Sequence, residues 1–512
     1  MDGTISAAAP GPDQTCDLLV IGGGINGCGI ARDAAGRGLK VLLAEQNDLA
    51  SATSQWSSKL IHGGLRYLEY YEFRLVAESL AEREVLLRAA PHLIQPLEFV
   101  IPHEPHLRPR WMIRAGLFLY DMLGGKQSVP SSKSVDLSHS AYGTGLKAAY
   151  TKGFSYFDAR ADDARLTVLN ARSAADLGAQ IETHTRFESA RVVDGVWRVT
   201  LAPAATGLAR EITARAIVNA AGPWVMRVLG GINGVKPSAE RVKHVKGSHI
   251  VVPRVHPGEH AYLLQNRDKR IVFVIPFQGK FSLIGTTDIT VEAWDQPVIS
   301  NAEITYLTAI ASAYLEQPIT PADVVWTYSG VRPLYDDGRA NASAVTRDYT
   351  LKLDTSAGAP LLNVFGGKLT TYRKLAEHAL EKLAPHFSPP PGTPSWKPAW
   401  THTQPLPGGD FTGGLAQLDA QLAQTYPFIP EPHLHQISRR HGTLAAAWLR
   451  NAARIDDLGE YFGAGLYAAE IEHMRATEWA HSAEDVLMRR SKCGLFMTEQ
   501  EKARVREYLN QT

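Results

Sequence analysis

The chain has 512 residues, enough for two to four domains at about 100–200 residues each. Apolar residues make up 45 % and charged residues 21 %, which excludes a disordered chain, a fibre and a coiled coil. Lysine plus arginine number 53 against 52 acidic residues, so no global basic field exists to hold nucleic acid, and the three scattered cysteines (Cys16, Cys28, Cys493) exclude a disulfide scaffold and a thiolate zinc site and fit a reducing compartment.

Residues 1–15, rich in Ala, Pro and Gly, read as a disordered extension; with no basic or apolar region they are not a signal peptide. Cys16 to Ile21 is a short apolar run that predicts a buried strand, and an apolar helical stretch to Ala35 follows a glycine-rich turn. Gly36-Arg37-Gly38 ends that helix, and Lys40 to Glu45 is a second strand, completing a βαβ unit. Cys28, on the helix, reads as core packing. Within the unit, Gly22-Gly23-Gly24-Ile25-Asn26-Gly27 matches GxGxxG. Gly22 permits the tight turn, Gly24 lets the backbone approach a pyrophosphate, and Gly27 lets the helix pack on the strand. The helix N-terminus offers free amides to phosphate. Glu45, at the end of the second strand, can accept from both ribose hydroxyls and would repel a 2′-phosphate, which disfavours NADP. The motif by itself leaves FAD and NAD open.

Next come Asp48 to Ser54 and Ser57 to Tyr67, small and hydroxyl-rich, suited to a cofactor extended along the backbone; Thr53, Ser58, Lys59 and Leu60 are the candidate contacts. Residues 72–90 predict a helix. His103-Glu104-Pro105-His106 only superficially suggests a metal site, because the proline breaks helical spacing and no third ligand is near; no metal is expected. Arg108 to Leu123 predicts an amphipathic helix on which Arg110 and Arg114 are i,i+4 neighbours and Trp111 and Phe118 share a face. Such a helix would lie on an anionic lipid surface; burial or packing in a homodimer is the plainer use. No run of about 18 apolar residues predicts a transmembrane span.

Residues 180–201 alternate around Asp194-Gly195, a hairpin signal. Ile217 to Trp224 reads as a strand entering a glycine turn at Gly222. Ala261 to Thr287, with turns at 267–269 and 278–280, predicts an antiparallel sheet. Ser388 to Pro394 reads as a proline-rich linker, and residues 410–512 are mostly helix formers.

The chain resembles the bacterial aerobic FAD-dependent glycerol-3-phosphate dehydrogenases. The residues that carry the resemblance are IGGGINGCGIARDAAGRGL (21–39), SSKLIHGGLRYLE (57–69), YEFRLVAESLAEREVLL (71–87), KGSHIVVPR (246–254), QNRDKRIVFVIPF (265–277), IGTTD (284–288), WTYSGVRPL (326–334), FGGKLTTYRKLAEHALEKL (365–383) and EDVLMRRSKCGL (484–495). It implies an α/β fold: an FAD-binding Rossmann-like domain, an interleaved antiparallel β-sheet substrate domain and an all-helical C-terminal domain. The expected Rossmann segments are roughly 16–90, 155–235 and 355–387, the substrate segments 91–154 and 236–354, the linker 388–409 and the helical domain 410–512.

The implied reaction is oxidation of sn-glycerol 3-phosphate to dihydroxyacetone phosphate, with FAD accepting hydride and a membrane quinone as final acceptor. No second GxGxxG offers an NAD site. The implied location is cytoplasmic, peripheral on the inner face of the inner membrane. A phosphate dianion calls for forked donors, so Arg66 and Arg332 are the candidate anchors, with Tyr67 beside them. The turn at Gly222 is implied to pass near the FAD, and Gly367, Lys368, Leu369 and Thr370 open a helix whose N-terminus can face the flavin. The base is open between His249, placed first, His62 and Lys368. A flavin oxidase of an amino or 2-hydroxy acid using oxygen, and a non-enzymatic FAD-binding redox sensor, are the alternatives.

Overall fold

The structure, a computed structural model, describes residues 14–104, 108–235, 241–266, 268, 270–335, 348–387, 397–449 and 451–511. Two sheets organise the larger part. In the first, strand Thr15–Ile21 lies between Val41–Ala44 and Arg210–Asn219, all parallel; Leu18–Ile21, Val41–Ala44 and Ala216–Val218 are apolar runs buried on both faces. Leu361–Phe365 and Gln180–Glu182 extend it in parallel, and Thr350–Asp354 closes one edge antiparallel. The hairpin Thr185–Val193/Val196–Pro203, turning at Asp194-Gly195, joins Arg210–Asn219 and buries Trp197 completely. Helices Ile25–Gly36, Asp163–Asp176 and Tyr372–Leu383 cover the other face, and Cys28 packs among them with no exposed surface.

The second sheet has ten strands and is almost wholly antiparallel. Its long strands are Ile94–Pro102, Lys152–Ala161, Val242–Pro253 and Trp326–Tyr335. Helices Phe73–Ala89 and Arg110–Leu123 pack on one side through Val76, Leu80 and Leu117, and Asn301–Tyr314 covers the other through Leu307 and Ala311. Strand Leu60–Ile61 and helix Phe73–Ala89 therefore serve this sheet, not the dinucleotide layer expected over 16–90; strand Lys152–Ala161 likewise draws residues 155–161 into it. The cause is long-range pairing, Leu60 with Arg160 and Ile94 with Ala161, which no local pattern encodes.

The C-terminal region is helical from Leu415–Thr425 to Glu499–Gln511, with one small hairpin, Tyr461–Gly463/Leu466–Tyr467, that the sequence reading lacks. Residues 1–13 of the expected extension and 388–396 of the expected linker lie outside the described residues, as do Arg267, Lys269 and His106. Thr15 already opens the first strand. The rest of the linker is not free: Trp400 stands where a side chain on Gly36 would be, Arg32 stacks on its ring at 5.1 Å, and Leu406 is buried.

Burial also sets a pH dependence. His92 and His256 are pushed down to about 3, chiefly by desolvation, so both stay neutral in the fold. Unfolding lets each take up a proton below the ordinary value of 6.5. Stability held above that pH is lost as pH falls, by about 1.4 kcal/mol per pH unit for each histidine. Urea midpoints at pH 7 and pH 5 read this directly: His92→Leu should show the shallower dependence, and an unchanged slope would contradict neutral burial.

Candidate functional site

A cavity of about 470 Å³ lies where the carboxyl ends of the parallel strands meet the second sheet. One end is built by the glycine loop. Gly22 holds φ +114°, and a Cβ there would fall 2.6 Å from the Ala220 carbonyl oxygen. A Cβ on Gly27 would fall 1.9 Å from the Gly22 carbonyl oxygen. The turn therefore requires both residues to lack a side chain. Helix Ile25–Gly36 has no acid in its first turn, so its positive end faces the cavity uncompensated. Its first amide, Ile25 N, donates to Ser54 Oγ at 2.9 Å, and Asn26 Nδ2 donates to the Gly366 carbonyl at 3.2 Å. Glu45 lines the cavity and accepts from Gly23 N at 2.6 Å and Asn47 N at 2.8 Å, leaving each oxygen a further lone pair for a ribose hydroxyl. Gly24 and Gly222 also line this end. The cradle, the acid-free helix end and the acceptor carboxylate fit an extended dinucleotide.

The other end is built by paired strands. Val242–Pro253 pairs antiparallel with Trp326–Tyr335, setting Val245 opposite Arg332, Gly247 opposite Gly330 and His249 opposite Tyr328. Alternation sends Gly247 and His249 to the cavity side and Lys246 and Ser248 behind, where Glu303 binds both and is drawn down to about 2. The Arg332 guanidinium occupies the space above Gly247: a Cβ there would lie 2.8 Å from Nη2 and 2.7 Å from Thr286 Oγ1. Arg332 Nη1 donates to Asp288 Oδ1 at 2.5 Å. Lys368 Nζ stands 4.1 Å over the Tyr67 ring, and Arg332, Lys368, Tyr67 and His62 all line the cavity. Gly367, Leu369, Thr370, Thr53, Ser58 and Leu60 complete the wall. Thr53 Oγ1 donates to the Val331 carbonyl at 2.7 Å, and Thr370 Oγ1 accepts from His62 N at 3.2 Å.

Three expected contacts are placed elsewhere. Arg66 is outside the wall, its Nη2 3.5 Å from the Tyr70 hydroxyl. It lies in the 3₁₀ turn Leu65–Tyr70, where successive side chains diverge by about 120°, so Tyr67 inward puts Arg66 outward. Lys59 is buried away from the cavity, donating to Asp163 Oδ1 at 2.8 Å and the Gln55 carbonyl at 2.8 Å, and desolvation lowers its pKa. His249 stands one hydroxyl behind the wall: its Nε2 is 2.9 Å from Ser58 Oγ, and its ring stacks on Tyr328 at 4.7 Å. Burial first, then the charges of Arg332 and Lys59, hold it well below the usual imidazole range, so it is neutral. The sequence reading missed Ser54, Asn26, Thr286, Asp288 and Trp56. Asn26 falls at a free position of GxGxxG, and IGTTD, which contains Thr286 and Asp288, offered a signal in its polar run after a strand.

Helix Arg110–Leu123 buries only Leu117 and Tyr120. Trp111, Phe118 and Met122 are 70 %, 57 % and 63 % exposed on one face, next to exposed Tyr70, Tyr71 and Phe73. Arg114 donates to Ser132 Oγ at 3.1 Å, while Arg110 is exposed. Tyr120 Oη accepts from Gly63 N at 2.9 Å, joining this helix to the segment beside His62. Among the described residues one trio, His441, His473 and Glu478, has the spacing of metal ligands. Glu470, 2.8 Å from His441, and Arg165, bonded to Glu478, already engage it, which makes it an ion-pair cluster.

Residues 17–373 match the family model described as FAD dependent oxidoreductase, and residues 399–510 match the C-terminal domain of alpha-glycerophosphate oxidase. The chain is 51 % identical to a glycerol-3-phosphate dehydrogenase of Pseudomonas aeruginosa over 97 % of its length and 95 % of the relative's. It is 49 % identical to the aerobic glycerol-3-phosphate dehydrogenase of Escherichia coli over 97 % of each chain. It is also 50 % identical to a D-erythritol 1-phosphate dehydrogenase of Brucella abortus, over 97 % of this chain and 98 % of that one. Among solved structures, the glycerol-3-phosphate dehydrogenase of Bacillus halodurans complexed with FAD superposes with a TM-score of 0.73 at 25 % identity, covering 97 % of this chain and 94 % of that one.

Proposed function

The chain belongs to the FAD-dependent oxidoreductase family, and we propose that on this scaffold it oxidises the C2 hydroxyl of sn-glycerol 3-phosphate to the ketone of dihydroxyacetone phosphate. The observation that carries this reading is the convergence of Arg332, Lys368 and Tyr67 on the same cavity as the glycine loop. Bound FAD supplies the two-electron hydride acceptor. Arg332 offers the phosphate a forked donor. Lys368, held over the Tyr67 ring, brings a second cation, and the turn 366–370 presents a helix N-terminus to developing negative charge. The C2 hydroxyl proton goes to an imidazole: His62 on the wall, or neutral His249 through Ser58 Oγ. If His249 is the acceptor, His249→Gln lowers kcat about 100-fold with KM little changed; a change in KM alone would assign it to binding.

Anaerobic addition of glycerol 3-phosphate should bleach the yellow preparation, and glycine or lactate should not. Bleaching by either acid would favour the oxidase reading, and no bleaching by any of them the redox sensor. The Brucella relative motivates a second reading, a four-carbon polyol phosphate as substrate. Comparing kcat/KM for glycerol 3-phosphate and erythritol 1-phosphate decides between them.

The electrons pass to a membrane quinone, with the protein seated on the cytoplasmic face of the inner membrane through helix Arg110–Leu123. Among the described residues no helix is long and apolar enough to cross a membrane, whereas this one exposes aromatic side chains beside Arg110. Replacing Trp111 and Phe118 together by glutamate should weaken partition onto anionic vesicles about tenfold or more. Equal partition of variant and parent would assign the face to another use, such as packing in a homodimer, which sedimentation would then reveal.

A further inference from the structure

No residue of the C-terminal domain lines the cofactor cavity, yet that domain grips its wall. The stretch from Asp48 to Lys59 supplies wall at Ala50, Ser51, Thr53, Ser54, Ser57 and Ser58. Its only regular structure is the 3₁₀ turn Thr53–Gln55, and Ala50 and Lys59, near its ends, hold φ of +61° and +58°. Few of its backbone groups are in any ladder, so side chains hold it: Thr53 and Ser54 bond to Val331 and Ile25 along its length, and buried ion pairs anchor its ends.

The C-terminal residues 489–492 reach both ends, one directly and the other through a neighbouring residue. Asp48 is 2 % exposed and enclosed by two arginines. Its Oδ2 accepts from Arg489 Nε and Arg490 Nη1 at 2.5 Å each, and its Oδ1 accepts from Arg490 Nη2 at 2.7 Å, a forked pairing. At the other end, Lys492 Nζ donates to Asp162 Oδ1 at 3.0 Å. The next residue, Asp163, receives Lys59 Nζ at 2.8 Å and Ser57 Oγ at 2.7 Å. Arg489 and Arg490 are neighbours in the π-helical turn Asp485–Arg490. A π-turn has more residues than an α-turn, so neighbours diverge by less than about 100° and two of them can face one carboxylate. Asp485 fixes that turn, accepting from His481 N and Ser482 N at 2.8 Å each and from Arg489.

We infer that Arg489, Arg490 and Lys492 are positioning residues for FAD, through which the C-terminal domain sets cofactor affinity by bracing both ends of the 48–59 stretch. None of the three lines the cavity; they act through Asp48 and through Asp162 with its neighbour Asp163. The inference rests on the dinucleotide half of the cavity and is independent of which polyol phosphate fills the other half.

The test uses full-length holoenzyme and reads two quantities: the FAD dissociation constant, from fluorescence of released flavin on dilution, and the KM for glycerol 3-phosphate at saturating FAD. Asp48→Asn and Lys492→Gln each raise the FAD constant roughly tenfold, with KM held within about twofold. Arg490→Lys keeps the charge but loses the fork, and falls between the parent and Asp48→Asn. Asp419→Asn, which removes a carboxylate bonded to His435 and Ser438 inside the C-terminal domain, leaves the FAD constant unchanged. An unchanged FAD constant in the first two variants, an equal rise in Asp419→Asn, or a KM that rises in step would each overturn the inference. If Asp48→Asn does not fold, Lys492→Gln and Arg490→Lys carry the same readings.

Discussion

Arg332→Ala is expected to raise the KM for glycerol 3-phosphate about 100-fold, because a charge-assisted hydrogen bond is worth about 1.5–3 kcal/mol and the phosphate loses a forked donor. The neighbouring carboxylate adds to the loss. Asp288, now paired with Arg332 at 2.5 Å, would be left facing the substrate's own negative charge. Two further variants separate these contributions. Arg332→Lys restores charge without the fork and should recover less than half of the lost binding energy. Arg332→Ala with Asp288→Asn should bind better than Arg332→Ala alone, since the repulsion is gone. Steady-state kinetics over a range of substrate concentration reads all three. A KM for Arg332→Ala within twofold of the parent would remove Arg332 from the phosphate site.

Gly22→Ala is expected to yield protein that has lost most of its flavin. The methyl group would meet the Ala220 carbonyl oxygen at 2.6 Å, and the residue would still have to hold φ +114°. Backbone strain and overlap together cost about 3 kcal/mol, which is roughly a 100-fold weaker FAD complex. Gly222 supplies the comparison. It too has positive φ, +54°, but a Cβ there meets nothing within 4 Å. Gly222→Ala therefore incurs strain alone, about 1 kcal/mol or some fivefold. The ratio of flavin to protein absorbance after gel filtration gives both values. Equal loss in the two variants would show that crowding against Ala220 is not what the first glycine avoids.

Parts of the site were legible from the chain because they are local. The loop from Gly22 to Gly27 sits between a strand and a helix that the apolar pattern already marks. Arg332 and Lys368 were reached through the family resemblance, in WTYSGVRPL (326–334) and FGGKLTTYRKLAEHALEKL (365–383), rather than from local pattern. Where a side chain's direction is decided by a distant partner, sequence was silent. Lys59 lies in the same polar stretch as Ser58, yet Asp163 draws it inward from 104 residues away. Arg66 and Tyr67 are adjacent, and only the 3₁₀ turn decides which of them faces the cavity. His249 is placed by three strands at once, with Gly285 and Tyr328 on either side of it. The fold divides in the same way: the parallel sheet follows from apolar strands and a βαβ unit, whereas the transfer of Leu60–Ile61 and Phe73–Ala89 to the second sheet depends on pairings with residues 159–161.

The contact between Asp48 and Arg489 spans 441 residues of chain. During synthesis at about 5–20 residues per second, the glycine loop and its strand would be out of the ribosome for roughly 20–90 s before the arginines that hold Asp48 exist. Through that interval Asp48 is a carboxylate without its counter-charges. The order of manufacture thus sets an order of assembly, in which the glycine loop is made early and Asp48 is locked by residues made 441 positions later. A chain cut short anywhere between Gly27 and Arg489 would carry every glycine of the loop and no lock.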